Sequence, residues 1–172
     1  HKLLSKMASN LKQFDSLGGF SINETVVVDE SRNAKDLNTI ELKNSFYSDS
    51  NKINYILRGS NTATLAIDDV GTTIPLTSST MNFITGHFIG VNPNGTVYSG
   101  KIESAVNCDA SGLTTVLSSM LTIIKQDIPV GESWTIDTFT ATNRFSYSTI
   151  RTGTTQLIKW AVSTEVISIA WS

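Results

Sequence analysis

The sequence predicts a mainly β protein, an antiparallel β-sandwich head of jelly-roll-like type preceded by a short N-terminal coiled-coil helix. Three observations carry that expectation. Over 77–171, apolar and polar residues alternate in short runs separated by Gly, Pro, Asn and Asp, at the roughly eight- to twelve-residue spacing of strands in a sandwich or barrel. Asn92-Pro93-Asn94-Gly95 lies between two such runs, and Asn-Gly tolerates the positive φ that a hairpin turn needs. Leu4, Met7, Leu11 and Phe14 recur at spacings of three, four and three, the a/d rhythm of a coiled coil.

The helix over 1–17 stops at Gly18-Gly19. Two heptads are marginal as an isolated helix, so we read 1–18 as the end of a stem whose seam, Leu4, Met7, Leu11 and Phe14, meets sister subunits. The chain opens on His1 rather than Met, and we expect it to be a piece of a longer protein. Residues 19–75 form a short-strand collar or the first part of the head. The β-branched run Thr25–Val28, the apolar Leu37, Ile40 and Leu42, and the runs 53–57 and 62–67 are its candidate strands. The head proper is 76–172. Its hairpin joins 81–91 to 96–106, and further strands are expected at 113–117, 120–126, 133–139, 144–150, 156–162 and 165–171. One buried and one wet face is expected for each strand.

At 172 residues and 40% hydrophobic content, the chain can bury one sizeable core. A net charge of −2 and a pI near 5.6 leave no basic field for phosphates, which excludes a nucleic-acid binder working by backbone neutralisation. Ser and Thr make up about a quarter of the chain and charged residues 16%, so the exposed strand faces are hydroxyl-rich. Cys108 stands alone and reads as a small core residue, since one cysteine closes no internal disulfide. No run of eighteen apolar residues occurs, so no membrane insertion is expected.

The order Ser79-Thr80-Met81-Asn82-Phe83, Thr85-Gly86-His87-Phe88, Asn94-Gly95, 98–103, Ser111-Gly112 with Thr115-Val116-Leu117, the lone Trp134, and finally Leu157-Ile158-Lys159-Trp160-Ala161-Val162 resembles the β-sandwich domain of many bacteriophage tail fibre and tail spike proteins. The resemblance covers roughly the last 95 residues. It implies a virion tail part exposed to the medium, a homotrimer at the far end of a fibre or spike. The implied partners are a bacterial surface polysaccharide or outer-membrane protein and other virion tail proteins.

The residues themselves offer no catalytic set. Asp29-Glu30 and Asp68-Asp69 are paired carboxylates, but neighbours on a strand point to opposite faces, so neither pair flanks one glycosidic bond; both read as solvated turn groups. His87 has no second His or Cys with which to complete a zinc site, and no Gly-x-Ser-x-Gly is present. We therefore expect no enzyme, no cofactor and no metal. Trp134, Trp160 and Trp171 would make a stacking platform for sugars if exposed, yet each sits in an alternating run typical of core or interface. Loops held by a rigid scaffold are the better receptor sites, which singles out 48–52, 92–95 and 140–143. The candidate contacts are thus Asn51, Asn94 and Asn143, with Trp134 and Trp160. The reading is a non-catalytic receptor-binding tip. Its alternatives are a baseplate, collar or capsid decoration module, a glycan depolymerase fragment, or a cellular carbohydrate-binding or cytokine-like sandwich.

Overall fold

A computed structural model describes residues 20–22, 25–29, 31, 33, 34 and 37–171. The expected helical stem over 1–18, with Leu4, Met7, Leu11 and Phe14, lies outside the described residues. The chain divides into two units, His1–Leu37 and Asn38–Ser172.

In the first unit, β1 (Phe20–Ile22) pairs antiparallel with β2 (Thr25–Val28). The β-branched run that predicts β2 ends at Asp29, whose carboxylate accepts the Asn33 amide at 2.9 Å and so closes the following turn.

The second unit holds β3 (Thr39–Lys43), β4 (Ser50–Ser60), β5 (Ala63–Thr64), β6 (Ile74–Pro75), β7 (Thr80–Val91), β8 (Val97–Cys108), β9 (Thr114–Gln126), β10 (Ser133–Ala141), β11 (Arg144–Thr152) and β12 (Lys159–Ala170). Its larger sheet has six strands in the order β3-β4-β12-β7-β8-β9, and a smaller one runs β10-β11-β5 with β6 also on β11. All pairings are antiparallel. The strands between 38 and 75 therefore share sheets with those of 76–172. Leu57, Ile84, Ile102, Trp160 and Val162 from the larger sheet, Ile74, Trp134, Phe145 and Tyr147 from the smaller one and Leu65 just after β5 form a single apolar cluster. Two sheets over one core make a sandwich. Its six-and-four division, with the meander β7-β8-β9 at one edge, differs from the eight strands and two Greek keys of a jelly roll.

The hairpin β7-β8 forms where the sequence predicts it, Thr80 opposite Cys108 through Val91 opposite Val97. The Asn92 carboxamide oxygen accepts the amides of Asn94 and Thr96, both at 3.0 Å, and Gly95 supplies φ +81°. Two pairs of expected strands are each one strand instead. The breaks read at Ser118-Ser119 and Ser163-Thr164 are in-strand hydroxyls: Ser119 meets Ser104 at 3.1 Å across the β8-β9 ladder, and Thr164 faces the core opposite Gly86.

Inner-face positions follow parity, with 82, 84, 86, 88 and 90 of β7 buried and 81, 83, 87 and 89 exposed. The outer face is not polar. Met81, Phe83, Ile89, Ile167 and Ile169 all lie on it in the open, interrupted by the Lys52–Glu165 ion pair at 2.5 Å.

Candidate functional site

Inner-face residues near the start of β4 and the end of β12 run past the cover of the smaller sheet. Tyr55, Leu57, Val162 and Val166 are buried, whereas Asn51, Ser168 and Ala170, further along the same face, are only half-buried. The uncovered end is a cleft of about 250 Å³. Ile53 and Val166 give it an apolar floor, Asn51 and Ser168 stand on the strands, and Pro75 and Thr77 form the far wall. Lys43 of β3 and Asp49 of the β3-β4 turn are its charged lining groups.

The polar side chains are held from behind. Asn82, 1% exposed, accepts the Ser168 hydroxyl at 2.5 Å and donates to the Thr80 hydroxyl at 3.0 Å and the Val106 carbonyl at 3.3 Å. Thr80 in turn donates to the Thr77 carbonyl at 2.6 Å. Asn51 donates to Glu41 at 2.7 Å. Burial pushes the Tyr55 phenol above its ordinary range, and the Glu41 carboxylate adds to this, so at neutral pH Tyr55 presents a protonated hydroxyl. Such an arrangement can bind a polyhydroxylated ligand with little reorganisation.

Of the five candidate contacts, Asn51 alone lines this cleft, and it stands on β4 rather than in a loop. Asn94 is at the hairpin turn, on the order of 30 Å away along β7 at strand rise. Its carboxamide donates to Gln156 at 3.3 Å, which Asn92 also contacts at 2.9 Å. Val91, Pro93, Leu157 and Lys159 line a second hollow there, of about 330 Å³. Asn143 is a fastener. At φ +54° it turns β10 into β11, and its carboxamide donates to the Leu76 carbonyl at 3.1 Å, the Ser78 hydroxyl at 2.9 Å and Cys108 Sγ at 3.4 Å.

Trp134 and Trp160 are not a platform. They are 2% and 0% exposed and meet edge to face at 6.5 Å, with Trp160 also against Tyr98 at 6.1 Å. Their indole N–H groups are satisfied by Glu132 at 2.9 Å and the Asn61 carbonyl at 3.1 Å, the usual condition for burying tryptophan. Of the acidic pairs, Asp29 belongs to the first unit, and Asp68 closes its own turn by accepting the amides of Val70 and Thr72. Hydrogen bonds from Thr72 hold the Asp68 carboxyl below its usual range. Among the described residues no three His, Cys, Asp or Glu side chains gather as a metal site, and no helix is long and apolar enough to cross a membrane.

No protein-family model matches the chain, and no curated protein matches it. Among solved structures it is similar to the tailspike protein gp49 of the Acinetobacter baumannii bacteriophage Fri1, a capsular polysaccharide depolymerase, at 14% identity and a TM-score of 0.45. The match covers 78% of this chain and 20% of that one, so this chain spans about a fifth of its length. A likeness of that strength says nothing of activity.

Asp49 lies in the loop 48–52 that the sequence singles out, whereas sequence reasoning missed Lys43, Tyr55, Thr80, Asn82 and Ser168. Parity did not give Asn82 or Ser168 away, because their strand neighbours Met81, Phe83, Ile167 and Ile169 are apolar but face outward; once the inner face is known, a polar residue on it marks a network or a ligand.

Proposed function

We propose that the chain is a non-catalytic receptor-binding part of a trimeric phage tail fibre or spike, and that it holds a host-surface glycan in the cleft between Asn51 and Ser168. The observation that carries this reading is the lining itself. Hydroxyls and a carboxamide with fixed partners surround an apolar floor, with one cation and one anion at the rim. Sugars offer the matching surface, hydroxyls around an apolar ring face. The resemblance of the strand pattern to tail fibre and spike domains supports the virion tail setting and the homotrimer. Three shallow sites on one rigid particle gain avidity without tight single-site binding.

The test is binding of the purified chain to cells or extracted surface polysaccharide from a panel of bacterial hosts. Asn51→Ala and Asp49→Ala are expected to weaken it about tenfold each, the loss of one good hydrogen bond to a polar ligand. Binding that survives both substitutions would move the site elsewhere. The apolar outer face favours a second reading, a module that docks on other virion proteins, and no binding at micromolar concentration decides for it. Glycoside cleavage needs two carboxyl groups flanking the bond; reducing-sugar release that disappears in Asp49→Asn or Glu41→Gln would overturn the non-catalytic reading.

A further inference from the structure

We propose that the hollow at the β7-β8 turn is a second ligand site, one that takes a carboxylate-bearing sugar such as a uronic acid. The inference rests on the glycan-binding reading above and adds to it a site and a charge preference. Val91, Asn92, Pro93, Leu157 and Lys159 line the hollow, which encloses about 330 Å³. That is the low end of ligand-site volumes and suits a single ring. Its walls come from two segments distant in the chain, and they are tied together. The Gln156 carboxamide oxygen accepts from Asn92 at 2.9 Å and from Asn94 at 3.3 Å, and the Arg151 guanidinium donates to the Gln156 carbonyl. The Pro93 and Leu157 sides are thus fixed relative to each other before a ligand arrives.

Charge decides the ligand class. Trp160 faces the core, so Lys159 and Ala161 face outward, and the strand registers put Arg58 and Val91 on the same outer face. On that face Lys52, Lys101 and Lys125 are ion-paired with Glu165, Glu103 and Asp127. Arg58 and Lys159 have no acidic partner among the described residues. Arg58 stands opposite Ala161, which makes it a diagonal neighbour of Lys159, roughly 7–8 Å away. Two uncompensated cations give this end of the sheet a positive field. The one ammonium inside the hollow, flanked by Val91, Pro93 and Leu157, matches one carboxylate at the edge of a ring with an apolar face. A dianionic phosphate calls for several donors converging on it, and an acidic peptide for a longer groove.

Amide spectra of the full chain, titrated with glucuronate, glucose and glucose 6-phosphate, test the site. Glucuronate should shift the amides of Val91, Leu157 and Lys159, and glucose should bind about tenfold more weakly, for want of one charge-assisted hydrogen bond. Lys159→Gln should cost a similar factor, and Lys159→Arg should retain most of the affinity. Lys159 is exposed, so the melting temperature should hold in both. Added salt should weaken glucuronate and spare glucose, and Asn51→Ala in the other cleft should leave these shifts unchanged. Equal affinity for glucose and glucuronate, tighter binding of glucose 6-phosphate, or parent-like binding by Lys159→Gln overturns the proposal. So do shifts at these residues with an oligoglutamate peptide but with no sugar. The two readings fail separately. No binding of any host polysaccharide ends the earlier one, whereas no glucuronate shifts in a chain that binds polysaccharide through Asn51 end this one.

Discussion

Gly86 is present because Tyr147 is opposite it. A Cβ at position 86 would lie 2.2 Å from the Tyr147 hydroxyl and 3.0 Å from Val162 Cγ1, closer than packed atoms approach. Gly86→Ala is therefore expected to cost about 2–3 kcal/mol by overpacking. Tyr147→Phe should recover ~1 kcal/mol or more of that, because the two positions touch and their effects are coupled; denaturant midpoints of the two single variants and the double close the cycle. The same hydroxyl faces Thr164 deep in the core with no well-formed hydrogen bond. Burial holds the Tyr147 phenol far above its ordinary range, and burial also raises Tyr55 and Tyr98. A phenol that keeps its proton more tightly when folded contributes stability that is whole below the unfolded value of about 10 and is lost as pH rises past it. Urea midpoints should accordingly fall between about pH 10 and 12 as the absorbance of ionised tyrosine rises, and Tyr147→Phe should make the fall shallower. At this scale the sequence was only partly legible. Asn143 reads as an exposed loop residue because its three acceptors, Leu76, Ser78 and Cys108, are distant in the chain.

Strand placement was the most legible level. The run Thr25–Val28, the hairpin at Asn92–Gly95 and the strands starting at Ser133 and Arg144 all stand where alternation and turn chemistry put them. What alternation could not resolve was which face is dry. On β7 both parities are apolar, Met81, Phe83 and Ile89 outward and Ile84 and Phe88 inward, so Asn82 does not stand out as buried. Hydroxyls inside β9 and β12 imitate turns for a related reason: Ser119 meets Ser104 on the neighbouring strand, and Thr164 faces the core opposite Gly86. Protection from amide exchange should rank the strands by pairing. β7, β8 and β12, bonded on both sides, should exchange slowest, and β3 at the sheet edge should exchange faster by orders of magnitude. Equal protection of β3 and β7 in the isolated chain would show that the edge is covered.

For the whole molecule, fold class followed from periodicity and composition, whereas the arrangement of two sheets did not, because nothing local specifies that β12 enters between β4 and β7. The site was hidden for the same reason: Asn51, Thr80 and Ser168 are far apart in sequence and are joined only by the registers of β4, β7 and β12. Subunit number belongs to this scale too. The trimer proposed above predicts a solution mass near three times 18.7 kDa, and Leu4→Lys with Leu11→Lys should lower it if the apolar stripe over 1–18 contributes to assembly. An unchanged mass would leave assembly to the β sandwich.

The middle position of β12 has a consequence for how the chain comes into being. β4 and β7 have their shared neighbour only once residues 159–170 have left the ribosome, so the larger sheet cannot close before that point. Until then the β7-β8-β9 ribbon waits with one more open side and an uncovered inner face, the state in which nascent chains most readily stick to one another.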